Sequence, residues 1–199
     1  MENIRARHQG KKNIYVHNDL LNAAHHFIEQ IETKLKSDDQ KGIAFEYMAC
    51  LTMLAFTFEA KINFLGHKLL KGAWKERQPF NDKVTEVLNH LKVNPDWTVR
   101  PYSSISTLNS YRDLIAHGKP VEIEFDVEVV ARKEDIDRRI DLDGEWLRYC
   151  THDNVFNAYS DIQTIWADLI RLSHLEPFEA ITHGSSGLTF IEKFVEKET

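Results

Sequence analysis

The sequence has little cysteine. Cys50 and Cys150 are its two, they lie far apart, and no partner pattern surrounds either of them. Two isolated cysteines exclude a disulfide framework or a cysteine-rich zinc site and are typical of a reducing compartment. The chain also has no G-x-x-x-x-G-K motif, no G-x-S-x-G motif and no dinucleotide-binding run of glycines. The sequence therefore does not indicate the nucleotide and serine-hydrolase chemistries that depend on these motifs.

Long runs of purely apolar residues are missing too. The most apolar stretch, Ile43 to Leu70, is interrupted by polar side chains that are too numerous for a membrane span, namely Glu46, Glu59, Lys61, Asn63 and His67. The basic first residues lead into no apolar segment, so we expect no signal peptide. These features predict a cytoplasmic protein without a membrane association.

Basic residues are not in excess. The formal net charge of -6 argues against a surface that coats nucleic acid generally, although it leaves room for a local basic cleft. Hydrophobic residues make up 42% and charged residues 28% of the 199 positions, which is the balance of a soluble globular protein. We expect one domain over residues 1–199.

Five stretches carry apolar residues at the three- and four-residue spacing that predicts a helix. The second is apolar on nearly every side, as expected for a central helix that its neighbours bury, and Gly72 suits its C-terminal end. The sequence thus predicts a mainly α fold, an antiparallel bundle of four to five long helices. The predicted helices are 18–36, 42–71, 81–92, a fourth from Ser103 or Ser104 to His117, and 153–174.

A change of period before the last long helix predicts a small β insertion at residues 119–150. Apolar and acidic residues alternate from Val121 to Val129, the pattern of a half-buried strand. Asp143 and Gly144 then suit a hairpin turn between two further strands, 138–142 and 145–150. After a Gly/Ser hinge, residues 184–199 are expected to form a short amphipathic tail.

The segment Tyr111 to Pro120, YRDLIAHGKP, contains the candidate catalytic residues. On a helix, Asp113 and His117 share a polar face, and Arg112 lies at the border of the apolar stripe. The dipole of the last turn and the carboxylate of Asp113 would both favour a protonated, oriented His117 beside a phosphate-binding Arg112. A histidine in a last turn with an aspartate four residues before it is equally an ordinary stabilising arrangement, so both interpretations stay open.

Two further groups of polar residues have functional and structural interpretations. Glu59, Asn63 and His67 form a row on the central helix, either as a polar network within the bundle or as groups that position Arg112 or His117. At the end of that helix, basic side chains either contact an RNA backbone or are simply solvated near the helix terminus. These are Lys68, Lys71, Lys75 and Arg77. Neither the DLDGE segment nor the adjacent His25 and His26 has metal-binding spacing, and we predict no metal and no cofactor.

The motif RDLIAHG at a helix end, together with the long helix LAFTFEAKINFLGHKLL, resembles the HEPN superfamily and its R-x4-6-H motif. In that family a polar residue often follows the arginine, as Asp113 does here, and Glu59 and Asn63 match the polar pair of the core helix. The resemblance covers roughly residues 18–118 and the helix at 153–174. Active members are metal-independent endoribonucleases, commonly dimeric, in which two motifs meet in a shared cleft.

By this resemblance Arg112 would bind the scissile phosphate, and His117 would act on the 2′-hydroxyl or the leaving oxygen of an RNA substrate. The protein would then be a homodimeric ribonuclease, as in a toxin with an antitoxin partner or an effector of phage defence. The alternative is a non-catalytic HEPN-like bundle that binds a nucleotide or a protein partner, for which the acidic chain and the strand-like insertion are the motivation.

Overall fold

The computed structural model describes residues 2–37, 39–126, 128, 130–132 and 143–195. Within these ranges five α-helices are flanked by two β-strands, which confirms the predicted mainly α fold. Each predicted helix overlaps an observed one almost from end to end. In chain order the elements are β1 (Glu2–Asn13), α1 (Val16–Lys36), α2 (Ile43–Leu70), α3 (Phe80–His90), α4 (Tyr102–Ala116), α5 (His152–Ser173) and β2 (His183–Val195).

Helix α2 is the centre of the bundle. The other four helices all pack against it, and it contributes buried side chains toward each of them. The segment Ile43–Ala73 is long and apolar enough by length and composition to cross a membrane, and in the structure neighbouring helices bury part of its apolar surface. A helix that is apolar on all sides needs such neighbours, and α2 therefore organises the hydrophobic core.

Trp74 packs against the C-terminal part of α2, and this packing requires a glycine at position 66. After a 3-10 turn at Lys71–Ala73, the chain returns so that Trp74 lies buried against Gly66. A Cβ atom on Gly66 would lie 2.4 Å from two atoms of the indole ring. Glycine in a helix is unfavourable by about 1 kcal/mol relative to alanine, so close packing is its role here.

The start of α1 is tied to the segment before β2. His17 is 2% exposed, and its Nε2–H donates to the carbonyl of Ala180 over 2.9 Å. Asn18 donates to the same carbonyl, and its Oδ1 accepts from the backbone N–H of Thr182. Burial lowers the pKa of His17 to about 4, with a further lowering from the positive charge of Lys61, so the ring is neutral at pH 7. These bonds fix the two strands next to each other where they leave the bundle.

Strands β1 and β2 pair in an antiparallel two-stranded ribbon, with Asn13 opposite His183 at the bundle end. Residues 183–195 include most of the segment predicted as an amphipathic tail, so the structure places a strand there instead. Ile4, Leu188 and Phe190 of the ribbon are exposed. A two-stranded ribbon is marginally stable by itself. The hydrogen bonds of His17 and Asn18 hold its two strands together at the end next to the bundle.

The predicted β-rich insertion at 119–150 is wrong for the residues described there. Residues 121–126, from the predicted strand, form no strand and are exposed. Glu145–Tyr149, predicted as a hairpin arm, is a 3-10 helix, and Gly144 before it is extended with φ -71° and ψ 151°. The other predicted arm, 138–142, lies outside the described residues. Alternation marks two faces of a chain, but the apolar face of 121–126 meets no partner strand among the described residues.

Substitution of Gly66 by alanine should destabilise the protein, although alanine is the better helix former. The new methyl group overlaps the indole of Trp74, and overpacking of this kind typically costs about 1–3 kcal/mol. Gly72→Ala is the matched control, because no atom lies within 4 Å of the added Cβ there. Denaturant unfolding of both variants measures the difference. Equal free energies of unfolding would contradict the packing role of Gly66.

The buried neutral state of His17 predicts a loss of stability in acid. The pKa of His17 is about 4 in the folded protein, against an ordinary value of 6.5 for a solvated histidine, so the unfolded chain binds a proton first as the pH falls. The free energy of unfolding should therefore fall by about 3 kcal/mol as the pH is lowered from 6.5 to about 4. His17→Gln keeps an N–H donor for Ala180 but cannot titrate. Its free energy of unfolding should decline less between pH 7 and pH 4 than that of the native protein, and parallel curves would refute the assignment.

Candidate functional site

Arg112 lies on α4 where this helix faces α2, and each of its three guanidinium nitrogens donates to a carboxylate. Its Nη1 donates to Oε2 of Glu59 over 2.7 Å, and its Nη2 and Nε donate to Oδ1 of Asp113 over 2.8 and 3.2 Å. The same group lies over the ring of Phe80, 5.2 Å from its centroid. The position at the border of the apolar stripe predicts a paired head group, and the structure shows the partners. The guanidinium is therefore fixed in direction before any ligand arrives.

Glu59 joins three helices through its carboxylate. Its second oxygen, Oε1, accepts from Nζ of Lys83 on α3 over 2.9 Å. The side chain of Lys83 is only 7% exposed, and those of Glu59 and Arg112 are 23% and 22% exposed. Together with Asp113, the cluster holds two positive and two negative charges. Its charge is balanced without a ligand, and Glu59 is the member that both cations share.

His117 is exposed at the C-terminal end of α4. Its backbone N–H donates to the carbonyl of Asp113 over 3.0 Å, which closes the last turn. The expectation that the Asp113 carboxylate orients the imidazole is wrong, because that carboxylate binds Arg112 instead. In the part of the chain that the structure describes, the His117 ring has no hydrogen-bond partner. The ring is therefore accessible to solvent.

A large cavity opens beside His117. It has a volume of about 980 Å³, and its walls combine the end of α4 with the irregular segment after it and the start of the 3-10 helix at Glu145–Tyr149. Asp113 lines this cavity, whereas Arg112 lines a much smaller one beside Phe80 and Phe58. Arg112 and His117 of one chain thus face different spaces. The apolar walls include Val121, Ile123, Phe125 and Trp146.

The three residues of the predicted polar row on α2 lie in three different environments. Glu59 contacts Arg112, but neither Asn63 nor His67 contacts Arg112 or His117 within the described ranges. Oδ1 of Asn63 is buried and has no hydrogen-bond partner there, while His67 is exposed. One member of the row is therefore placed to position the candidate site, and the other two are not.

The four basic residues after the centre of α2 are not equivalent. Lys68 is partly buried, its Nζ lies over the rings of Phe64 and Tyr15, and it approaches Glu179 to 3.9 Å. The other three are exposed, so their charges remain available to an anionic partner. They are Lys71, Lys75 and Arg77.

Sequence reasoning missed Phe80 and Lys83 of α3, which complete the surroundings of Arg112 and Glu59. A signal for them exists. Phe80, Lys83 and Val87 follow one another at three- and four-residue spacing, so they share the face of α3 that turns toward the core. A lysine within such an apolar face indicates a buried carboxylate on a neighbouring helix, which here is Glu59.

No group of three or more histidine, cysteine or acidic residues suited to a metal ion is present among the described residues. Neither a family model, nor a curated protein, nor a solved structure matches the chain, so the HEPN resemblance stays a prediction. What the geometry provides is an oriented arginine with an exchangeable carboxylate partner and, at the end of the same helix, a solvent-accessible histidine.

Removal of the Glu59 charge should destabilise the bundle. Glu59→Gln leaves Lys83 without an anion in a nearly buried position and takes one of two carboxylates from Arg112. Loss of one partner from a buried pair costs about 3–5 kcal/mol, and the partial exposure of this cluster places the expected loss near or below the lower value. Glu76→Gln, at an exposed position, is the control. Chemical denaturation gives both values, and equal stability would contradict the central role of Glu59.

Proposed function

We propose that the protein is a metal-independent endoribonuclease of HEPN type that acts as a homodimer. The observation that carries the proposal is the exposed, unpartnered ring of His117, which, within the described ranges, lines a cavity five residues after an arginine with a fixed direction. Imidazole titrates close to neutral pH and is the side chain most often used for proton transfer. Arginine is the side chain best suited to bind a phosphodiester.

The proposed reaction uses the substrate's own 2′-hydroxyl. Its oxygen attacks the adjacent phosphorus, the 2′ O–H bond and the P–O5′ bond break, and a 2′,3′-cyclic phosphate and a 5′-hydroxyl form. His117 makes one of the two proton transfers, taking the 2′ proton or giving a proton to the leaving 5′ oxygen, and water or His117 of the second copy makes the other. Arg112 stabilises the negative charge on the phosphate oxygens. For this, the phosphate takes the place of Asp113, whose side chain is 48% exposed, while Glu59 continues to hold the guanidinium.

Two copies of the chain fit this chemistry better than one. Arg112 does not line the cavity beside His117, although its partner Asp113 does, so the two side chains of one copy do not enclose a phosphate from both sides. Two motifs that face each other across a two-fold axis would bring the histidine of one copy toward the arginine of the other. The exposed Lys71, Lys75 and Arg77 would extend a basic path for the RNA backbone.

A second candidate is a non-catalytic bundle that binds a nucleotide or a protein such as an antitoxin. The saturation of Arg112 by two carboxylates favours it, since a structural arginine needs no phosphate. Arg112→Leu separates the candidates. If Arg112 has only a structural role, the variant loses stability but binds RNA as the native protein does. In the ribonuclease it also loses affinity for RNA.

His117→Ala should abolish RNA cleavage in the presence of EDTA and leave the fold unchanged. General acid–base catalysis accelerates a reaction by about 10²- to 10⁴-fold, so the cleavage rate should fall by a factor of about 10² or more. The control is His90→Ala, because His90 is also exposed in the last turn of a helix, α3. Cleavage of labelled single-stranded RNA by each pure variant gives the rates.

Two outcomes of this experiment would contradict the proposal. One is undiminished cleavage by the His117→Ala variant, which would mean that another group or a contaminant cuts the RNA. The other is intact RNA with the native protein across several substrates, which would favour the non-catalytic bundle. Circular dichroism of the variants confirms that an inactive sample is folded.

A further inference from the structure

A second recess lies on the opposite side of the bundle from Arg112. It is a groove of about 730 Å³ between α1 and α5, closed at one end by the 3-10 helix at Pro177–Ala180. Lys61 of α2 forms part of its floor. Because Lys61 follows Glu59 by two residues, its side chain leaves α2 about 200° from that of Glu59. The groove is therefore separate from the candidate ribonuclease site.

Lys61 is buried without an anion. The residue is 3% exposed, and the contact of its Nζ is the ring of Trp166, whose centroid lies 4.0 Å away. Within the described ranges Lys61 makes no ion pair and no hydrogen bond. Lys83, the other buried lysine there, has Glu59 at 2.9 Å. A cation–π contact compensates only in part for the lost hydration of an ammonium group.

The groups around Lys61 do not supply the missing charge. His17 is neutral, and its Nε2–H is already bound to the carbonyl of Ala180. Asp19, whose charge acts on His17, is exposed and forms no ion pair with Lys61 in the described residues, and Asp168 pairs with Arg171, which lines the groove. Burial lowers the pKa of Lys61 to about 7, which reflects the same lack of a compensating anion. An anion that keeps Lys61 protonated in this position would therefore come from outside the described part of the chain.

The walls of the groove define the rest of the ligand. They are largely apolar, with the amides of Asn18, Asn22 and Gln163 as neutral polar groups and with Arg171 as a second cation, and the volume is that of a small-molecule site. The charge of Arg171 is paired with Asp168, so the ammonium group of Lys61 supplies one uncompensated positive charge and up to three donors, which suits a monoanion better than a phosphate dianion. The apolar lining side chains are Leu21, Trp166, Ala167, Ile170, Leu175 and Ile181.

We propose that this groove binds a small organic monocarboxylate, with its carboxylate on the ammonium group of Lys61 and its apolar body against Trp166. The proposal does not depend on the ribonuclease activity, because the two sites share no side chain. Lys61 is the residue that selects an acid over a neutral molecule of the same shape. The apolar walls contribute affinity for both kinds of molecule.

Calorimetric titration with decanoate and with decanol, both below their aggregation concentrations, tests the proposal on the native protein. The two probes share an apolar chain and differ in charge. A charge-assisted hydrogen bond to Lys61 should make decanoate bind about 10- to 100-fold more tightly than decanol. Equal affinities would overturn the proposal, because the groove would then be merely apolar. Absence of decanoate binding would overturn it as well.

Lys61→Met tests the residue itself. Methionine fills a similar volume without a charge, so the variant should fold at least as stably as the native protein and lose the preference for decanoate. Lys36→Met, at an exposed position on α1, is the control and should keep it. A preference that survives in Lys61→Met would overturn the assignment, because another group would then bind the carboxylate. If that variant does not fold, the comparison of the two probes on the native protein still decides.

Discussion

The carboxylate of Glu59 is the contact on which the arrangement of α2, α3 and α4 depends. Its two oxygens bind Arg112 and Lys83, one from each neighbouring helix, at 2.7 and 2.9 Å. Neighbouring helices bury much of the apolar surface of α2, and two of them bring a cation to the interface. Without an anion on α2, Lys83 would lose hydration without compensation, and Arg112 would keep only Asp113. The packing of α3 and α4 against α2 and the pairing of their cations thus both depend on Glu59.

That constraint also determines what the candidate site can do. Glu59 and Phe80 hold the guanidinium of Arg112 from the side of the bundle, whereas Asp113 holds it from a half-exposed position. An anion that arrives from solvent therefore competes with Asp113 and leaves the Glu59 contact intact. An arginine that is anchored on one side and exchangeable on the other keeps its direction when it changes partner, which reduces the entropic cost of binding.

The helices could be predicted from the sequence because their signal is local. Apolar spacing, Gly72 and Gly118 define α2 and α4 nearly to the residue. The β-structure could not, because its signal is not local. Strand β1 is mostly polar, its partner β2 begins 170 residues after Asn13, and their pairing depends on His17 and Asn18. The alternation after Val121 is a clearer strand pattern, yet no partner strand meets it in the described part of the chain, and a strand needs a partner.

The candidate site shows the same limit at the level of single residues. Periodicity identifies Glu59 and Lys61 as polar positions on an apolar helix, but it does not tell which of them has a partner. Glu59 faces two cations from α3 and α4, whereas Lys61 faces an aromatic ring and an open groove. A buried charge that the fold neutralises is explained by the fold. A buried charge that the fold leaves uncompensated reduces stability. An anionic ligand that enters the groove and binds this charge would raise the stability of the folded protein.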